Sequence, residues 1–207
     1  MPVPVIGGLA ALVDRFDACL LDQWGVVHDG SRPFPGVVAC LERLKAAGKR
    51  VLMLSNAPRR AAESEARLVA LGVPAGLVDG AVTSGEAVHQ ALARRADPAF
   101  AALGRRYVHL GRVDGSDDVL VGLPLVRVDD PDDADFLVVA NLPHRTDDLA
   151  VYDPVLDRAA ARGLPMVCAN PDVFVVHAGR TEPCAGAVAE RYKARGGRVL
   201  YRGKPYP

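Results

Sequence analysis

An aspartate, a serine–asparagine pair and a lysine stand out in this chain, and the first two follow apolar runs at points where a buried strand would end. Asp22 closes Ala18-Cys19-Leu20-Leu21 and opens onto the glycine-punctuated stretch Gln23-Trp24-Gly25-Val26-Val27-His28-Asp29-Gly30. Ser55 and Asn56 follow Val51-Leu52-Met53-Leu54, and Lys204 sits in Gly203-Lys204-Pro205 after Arg198-Val199-Leu200-Tyr201. Open α/β sheets present reactive groups at the carboxyl ends of their strands. A carboxylate there can attack phosphorus and form an aspartyl phosphate. A hydroxyl and backbone N–H groups at the next strand exit can hold phosphoryl oxygens. A lysine can offset charge on the transferring group, and Mg²⁺ can clamp nucleophile to phosphate. Singly, each signal has an ordinary alternative: strand-end aspartates cap and turn, and surface lysines are solvated.

The elements needed to position these groups are legible as alternating patterns. Short helices are expected over residues 7–16, 37–47, 59–71 and 86–95, with Gly48 and Gly72 as stops. Strands are expected at residues 18–21, 51–54 and 80–83, and later at 107–110, 120–123, 136–139, 165–168 and 198–201, with further helices near 147–162 and 185–194. Strands alternating with such helices indicate parallel βαβ units. The acidic run Asp129-Asp130-Pro131-Asp132-Asp133 reads as a solvated loop. Three apolar runs end in Asn near Pro, at Asn56, Asn141 and Asn170, which turn chemistry alone could explain.

Composition narrows the class. The 207 residues are half apolar and include 25 acidic and 25 basic side chains, so no basic face is forced, and nucleic acid or an anionic membrane is not the expected partner. With five Phe, five Tyr and one Trp, aliphatic residues and alanine must fill the core. Cys19, Cys40, Cys168 and Cys184 show no metal-ligand spacing and read as small hydrophobes. No secretory leader and no apolar run near the roughly 20 residues of a membrane helix are visible, so a cytoplasmic protein is expected. A dinucleotide-dependent oxidoreductase is disfavoured, because no G-x-G-x-x-G follows the first strand.

Taken in order, the segments LLDQWGVVHDG, PFPGVVACLERLKAAGKRVLMLSNAPRR, ANPD, CAGAVAERY and YRGKP resemble the haloacid-dehalogenase-like phosphohydrolases. They look most like the NagD-like and p-nitrophenylphosphatase-like subclass, in a D-x-W-G-V-x-H branch of sugar or nucleotide phosphatases. The resemblance runs over nearly the whole chain. It implies a Rossmann-like three-layer αβα core with a parallel sheet and an inserted α/β cap of the C2 type, the core formed by 1–82 and 198–207 and the cap by 83–197. It further implies a Mg²⁺-dependent phosphatase acting on a small phosphorylated metabolite. Asp22 would be nucleophile and metal ligand, with the Trp24 backbone carbonyl as second ligand. Ser55 and Asn56 would bind the phosphoryl group, and Lys204 would hold nucleophile and phosphate together. Asn170 and Asp172 lie where the cap faces substrate. Arg59 and Arg60 are possible phosphate contacts; His177, Arg180 and Glu182 are cap-loop candidates for specificity that an exposed polar loop explains equally well, and the loops 111–118 and 170–182 spell out no recognisable pocket.

Two departures from that pattern qualify the expected activity. Trp24 stands where the family carries the aspartate that protonates the leaving oxygen, and indole cannot exchange a proton near neutral pH. His28 or Asp29 could substitute, although both also suit turns. The family's G-D-x-x-x-[ST]-D segment is also not found in these 207 residues. A fragment is therefore expected, with weaker Mg²⁺ binding and an open apolar edge at Cys19-Leu20-Leu21 that invites pairing with another copy, a possible homo-oligomer. An impaired member that binds a phosphorylated ligand or protein partner is the competing expectation.

Overall fold

Leu20 and Leu21 point to opposite faces of a four-residue strand, and that alternation organises the first part of the molecule. A computed structural model describes residues 5–111, 119–142, 148–177 and 179–206. The chain divides into two compact units, Met1–Leu54 with Glu65–Ala81, and Ser55–Ser64 with Val82–Pro207.

In the first unit, a 3-10 helix at Leu9–Arg15 leads into β1 (Ala18–Leu21), followed by α1 (Val37–Ala46), β2 (Arg50–Ser55), α2 (Ala61–Ala70) and β3 (Gly80–Thr83); the last three extend past the unit's bounds. The sheet order is β1-β2-β3, and β1 runs parallel to β2 with Ala18 opposite Arg50 and Leu21 opposite Met53. Val51 and Met53 are fully buried with Leu41, Leu44, Leu68 and Val73, while Cys19 and Leu21 pack against that cluster. The alternate residue Leu20 is 65% exposed on a strand that ends the sheet order.

The second unit continues with α3 (Ser84–Arg94), α4 (Pro98–Ala101), β4 (Arg106–Leu110), β5 (Val126–Arg127), β6 (Phe136–Val139), α5 (Asp153–Ala161), β7 (Pro165–Cys168), β8 (Phe174–His177), β9 (Arg180–Pro183), α6 (Ala185–Lys193) and β10 (Arg198–Tyr201). Its parallel sheet has the order β10-β7-β6-β4-β5. β6 is buried along its whole length because both faces are covered, as parallel sheets require. Phe136 and Val138 join Val88 and Leu92 of α3 and Phe100 of α4 on one side, whereas Leu137 and Val139 join Leu156 of α5 and Val188 and Tyr192 of α6 on the other. β8 and β9 form a separate antiparallel hairpin. Thr83 caps α3 by accepting from the Glu86 N–H at 3.0 Å.

Arg198–Tyr201 pairs with Pro165–Cys168 within the second unit. Two expectations are corrected. Leu120–Leu123 is a turn rather than a strand; Val119 and Leu120 are apolar because they are buried in the core beside α3. The helix expected at 147–162 is split into a 3-10 turn, Leu149–Tyr152, and α5, which restarts at Asp153 with Pro154 in its first turn, where a missing N–H costs nothing. Residue 147, the loop 112–118 and Pro143 lie outside the described residues.

Candidate active site

Each unit contributes part of the expected set, and each part is described by itself. In the first unit β1 delivers Asp22, half-buried, whose Oδ1 accepts the Gln23 N–H at 2.8 Å. The following loop is closed on itself: Val27 N–H and Gly25 N–H donate to the Gln23 and His28 carbonyls at 2.8 and 2.9 Å. The buried His28 accepts the Gly30 N–H at Nδ1 (3.0 Å), so in the neutral ring the proton sits on Nε2. The Trp24 indole meets the His28 ring edge-on, with centroids 5.5 Å apart. It also covers Gly30, where an added Cβ would lie 2.5 Å from Trp24 Cη2 and where φ is +94°. Trp24 is thus a packing residue of its loop. Asp29 accepts the Ser31 and Arg32 N–H groups at 2.8 and 2.9 Å, and these bonds hold its carboxyl below the usual carboxylate range; it is a turn former.

In the second unit, Ser55 and Asn56 are both buried where β2 ends. Ser55 Oγ accepts the Ala57 N–H at 3.2 Å. The Asn56 carboxamide is engaged at both of its atoms. Its Oδ1 accepts the Lys204 N–H at 2.8 Å, and its Nδ2 donates to the Lys204 carbonyl at 3.0 Å and to Asp172 Oδ1 at 2.8 Å. Asp172 is set in turn by Asn170, whose Oδ1 accepts the Asp172 N–H at 3.0 Å, and by the Gly186 N–H, which donates to the Asp172 carbonyl at 3.0 Å. Any side chain at 186 would collide with the carbonyls of Pro171 and Asp172. Lys204 follows Gly203, whose φ is +113° and whose missing Cβ would lie 2.8 Å from Asn56 Oδ1 and from Ser84. Ser84 Oγ donates to the Arg202 carbonyl.

The structure therefore brings Asn56, Asp172 and Lys204 into direct contact, with Asn170 and Ser55 adjoining them. Arg59 lies 3.5 Å from Glu63, and Arg60 is tied to Glu86 at 2.6 Å. That contact, with further bonds from Gln90 and the Ala61 N–H, pulls the Glu86 carboxyl down to about 2. His177 and Glu182 face each other across the β8–β9 hairpin at 3.8 Å, with Arg180 on the same hairpin. Ser84 was not foreseen; it lies within the Thr-x-x-Glu capping pattern at Thr83–Glu86, the one signal that could have drawn attention to it.

Mg²⁺ takes oxygen ligands and keeps several waters. The Asp22 carboxylate and the Trp24 carbonyl are donors of that kind and fit such an ion by type. Among the described residues, no group of three or more His, Cys, Asp or Glu side chains could share one.

Comparison with known proteins gives this arrangement a relationship. A family model described as haloacid dehalogenase-like hydrolase matches residues 19–119. The crystal structure of a haloacid dehalogenase-like hydrolase from Brucella suis 1330 superposes with a TM-score of 0.88 at 34% identity, covering 98% of this chain and 71% of that one. Glycerol phosphate phosphatase from Mycobacterium tuberculosis, solved in complex with magnesium, matches at 25% identity and a TM-score of 0.70, over 95% of this chain and 57% of that one. A 4-nitrophenylphosphatase of Schizosaccharomyces pombe is 36% identical over 52 residues, which span 25% of this chain and 17% of that protein. The chain belongs to the haloacid dehalogenase-like hydrolase family.

Proposed function

We propose that this protein is a phosphatase of a small phosphorylated metabolite, such as a sugar phosphate or nucleotide, working through an aspartyl phosphate on Asp22. The observation that supports it most is the bonding of Asn56 to both polar groups of the Lys204 peptide, which fastens the cationic turn after β10 to the strand exit bearing Ser55. Asp22 supplies the attacking carboxylate. Ser55 and the backbone N–H groups after it bind phosphoryl oxygens, and the Lys204 ammonium offsets charge that develops there. Asp22 and the Trp24 carbonyl would hold Mg²⁺, which supplies Lewis-acid stabilisation of that charge. A cap formed by residues 83–197 would exclude water and select the substrate. Four free cysteines suit a reducing compartment, the cytoplasm, and among the described residues no helix is long and apolar enough to cross a membrane.

Trp24 limits the chemistry. Packed over Gly30 and against His28, it offers no exchangeable proton to the leaving oxygen. Loss of a positioned acid costs roughly 10²–10⁴ in rate, so turnover favours good leaving groups such as aryl and acyl phosphates. The same observation favours a second reading, an impaired member that binds a phosphorylated ligand without turnover. Release of p-nitrophenolate from p-nitrophenyl phosphate with Mg²⁺ separates the two. The phosphatase shows a burst that Asp22→Asn abolishes; the binder shows none.

A further inference from the structure

Asparagine has a carboxamide whose oxygen and nitrogen are nearly the same size, so only its partners decide which way round it sits. At Asn56 all three partners agree. The Lys204 N–H can only donate and so faces Oδ1, and the Lys204 carbonyl can only accept and so faces Nδ2; a flipped carboxamide would set donor against donor and acceptor against acceptor. The third partner, the Asp172 carboxylate, can only accept. It therefore demands Nδ2 on its side. The second Nδ2 hydrogen is left for the Lys204 carbonyl, and Oδ1 for the Lys204 N–H.

We propose that Asp172 is a positioning residue: its carboxylate, the one charged partner of the three, anchors the Asn56 carboxamide, and Asn56 so anchored holds the backbone of Lys204 in place. Asp172 is itself fixed on both sides of its peptide, by Asn170 Oδ1 on its N–H and by Gly186 N–H on its carbonyl. The relay runs Asn170, Asp172, Asn56, Lys204, and all four residues belong to the second unit. This assigns Asp172 a part in setting rate rather than in contacting substrate. The kinetic side of the inference rests on the phosphatase reading; the structural side does not.

Polarity exchange tests it. Asn56→Asp puts two carboxylates against each other and removes both donors to Asp172 and the Lys204 carbonyl. Asp172→Asn removes the charge that anchors the carboxamide. Combining the two restores a donor facing an acceptor, with the roles reversed. Hydrogen exchange at the Lys204 amide is read by NMR in all four proteins, with the Leu200 amide in the β10–β7 ladder as internal control. Hydrolysis of p-nitrophenyl phosphate is measured alongside. A hydrogen bond to a charged group is worth a factor of roughly 10–150, so Asp172→Asn should speed Lys204 exchange roughly tenfold or more and leave Leu200 unchanged; Asn56→Asp keeps an acceptor for the Lys204 N–H and should speed it only as far as repulsion from Asp172 displaces the side chain. The double variant should recover at least part of that loss.

In turnover, kcat should fall by a similar factor with KM changed less than about threefold, since no ground-state contact is removed. Singles whose effects simply multiply, unchanged Lys204 exchange, or an Asp172→Asn variant that only raises KM would overturn the proposal. Should Asn56→Asp fail to fold, Asp172→Asn decides alone by the same amide. If the unaltered chain hydrolyses nothing yet Lys204 exchange responds, the positioning role stands and the phosphatase reading falls. The converse result removes the positioning role alone.

Discussion

The Trp24 ring occupies the space that a side chain on Gly30 would need, with Cη2 only 2.5 Å from the ideal Cβ position, and the same ring rests edge-on against His28. The two residues are matched: the indole can lie flat on its own loop because position 30 is glycine with φ +94°. The position following Asp22 by two is thereby committed to packing.

The first prediction follows from that commitment. Trp24→Asp should raise kcat for a plain alkyl phosphate by roughly 10²–10⁴, and should change the rate on an aryl phosphate far less, because a good leaving group does not wait for a proton. Steady-state kinetics on the two substrates check this. Equal effects on both would show that Trp24 does not limit leaving-group protonation.

Gly30→Ala and Gly203→Ala each force a side chain into an occupied space at positive φ, against Trp24 in one case and Asn56 and Ser84 in the other. Each should cost about 1–3 kcal/mol of stability in chemical denaturation. Gly203→Ala should also lower turnover, since it displaces the turn that bears Lys204; Gly30→Ala tests the packing of the Trp24 loop.

Acid stability should carry the signature of Glu86. Its bond to Arg60, above all, lowers its carboxyl from the usual 4.5 to about 2 in the folded chain. A depressed folded value means that the stabilisation is complete above about pH 4.5 and is lost as pH falls towards 2. Glu86→Gln should therefore lower Tm at pH 7 and flatten the dependence of Tm on pH between those limits. An unaltered acid limb would contradict the assignment.

The thiols should differ sharply in reactivity. Burial pushes Cys168 and Cys184 up to about 12, whereas Cys40 is exposed. Iodoacetamide near pH 8 should label Cys40 first, and should reach Cys168 and Cys184 only when the second unit unfolds, as mass spectrometry of the peptides would show.

Much of the fold was legible because parallel strands buried on both faces are written as unbroken apolar runs. Leu137 and Val139, with Phe136 and Val138, are the clearest case. The hairpin of β8 and β9 was not legible, since Arg180-Thr181-Glu182-Pro183 is polar and pairs only with Phe174–His177. Leu120 misled for the opposite reason: a buried turn and a buried strand share the same composition. At the site, Asn56 and Lys204 could be named individually from their places after apolar runs, and Asp172 from the resemblance alone. That a single carboxamide joins them could not, because the contacts cross 116 and 148 residues of sequence. Turn chemistry explained the Asn-Pro pattern equally well until those distances were known. The placement of Trp24 over Gly30 was likewise invisible, as nothing in the spacing says that an indole folds back onto its own loop.

The most direct measurement is the trapping of a phosphoenzyme. The purified chain is mixed with Mg²⁺ and radiolabelled acetyl phosphate, quenched in acid and mapped by peptide mass spectrometry. The account predicts a hydroxylamine-sensitive label on the peptide bearing Asp22, absent from Asp22→Asn. No label, or a label that persists in Asp22→Asn, would contradict it.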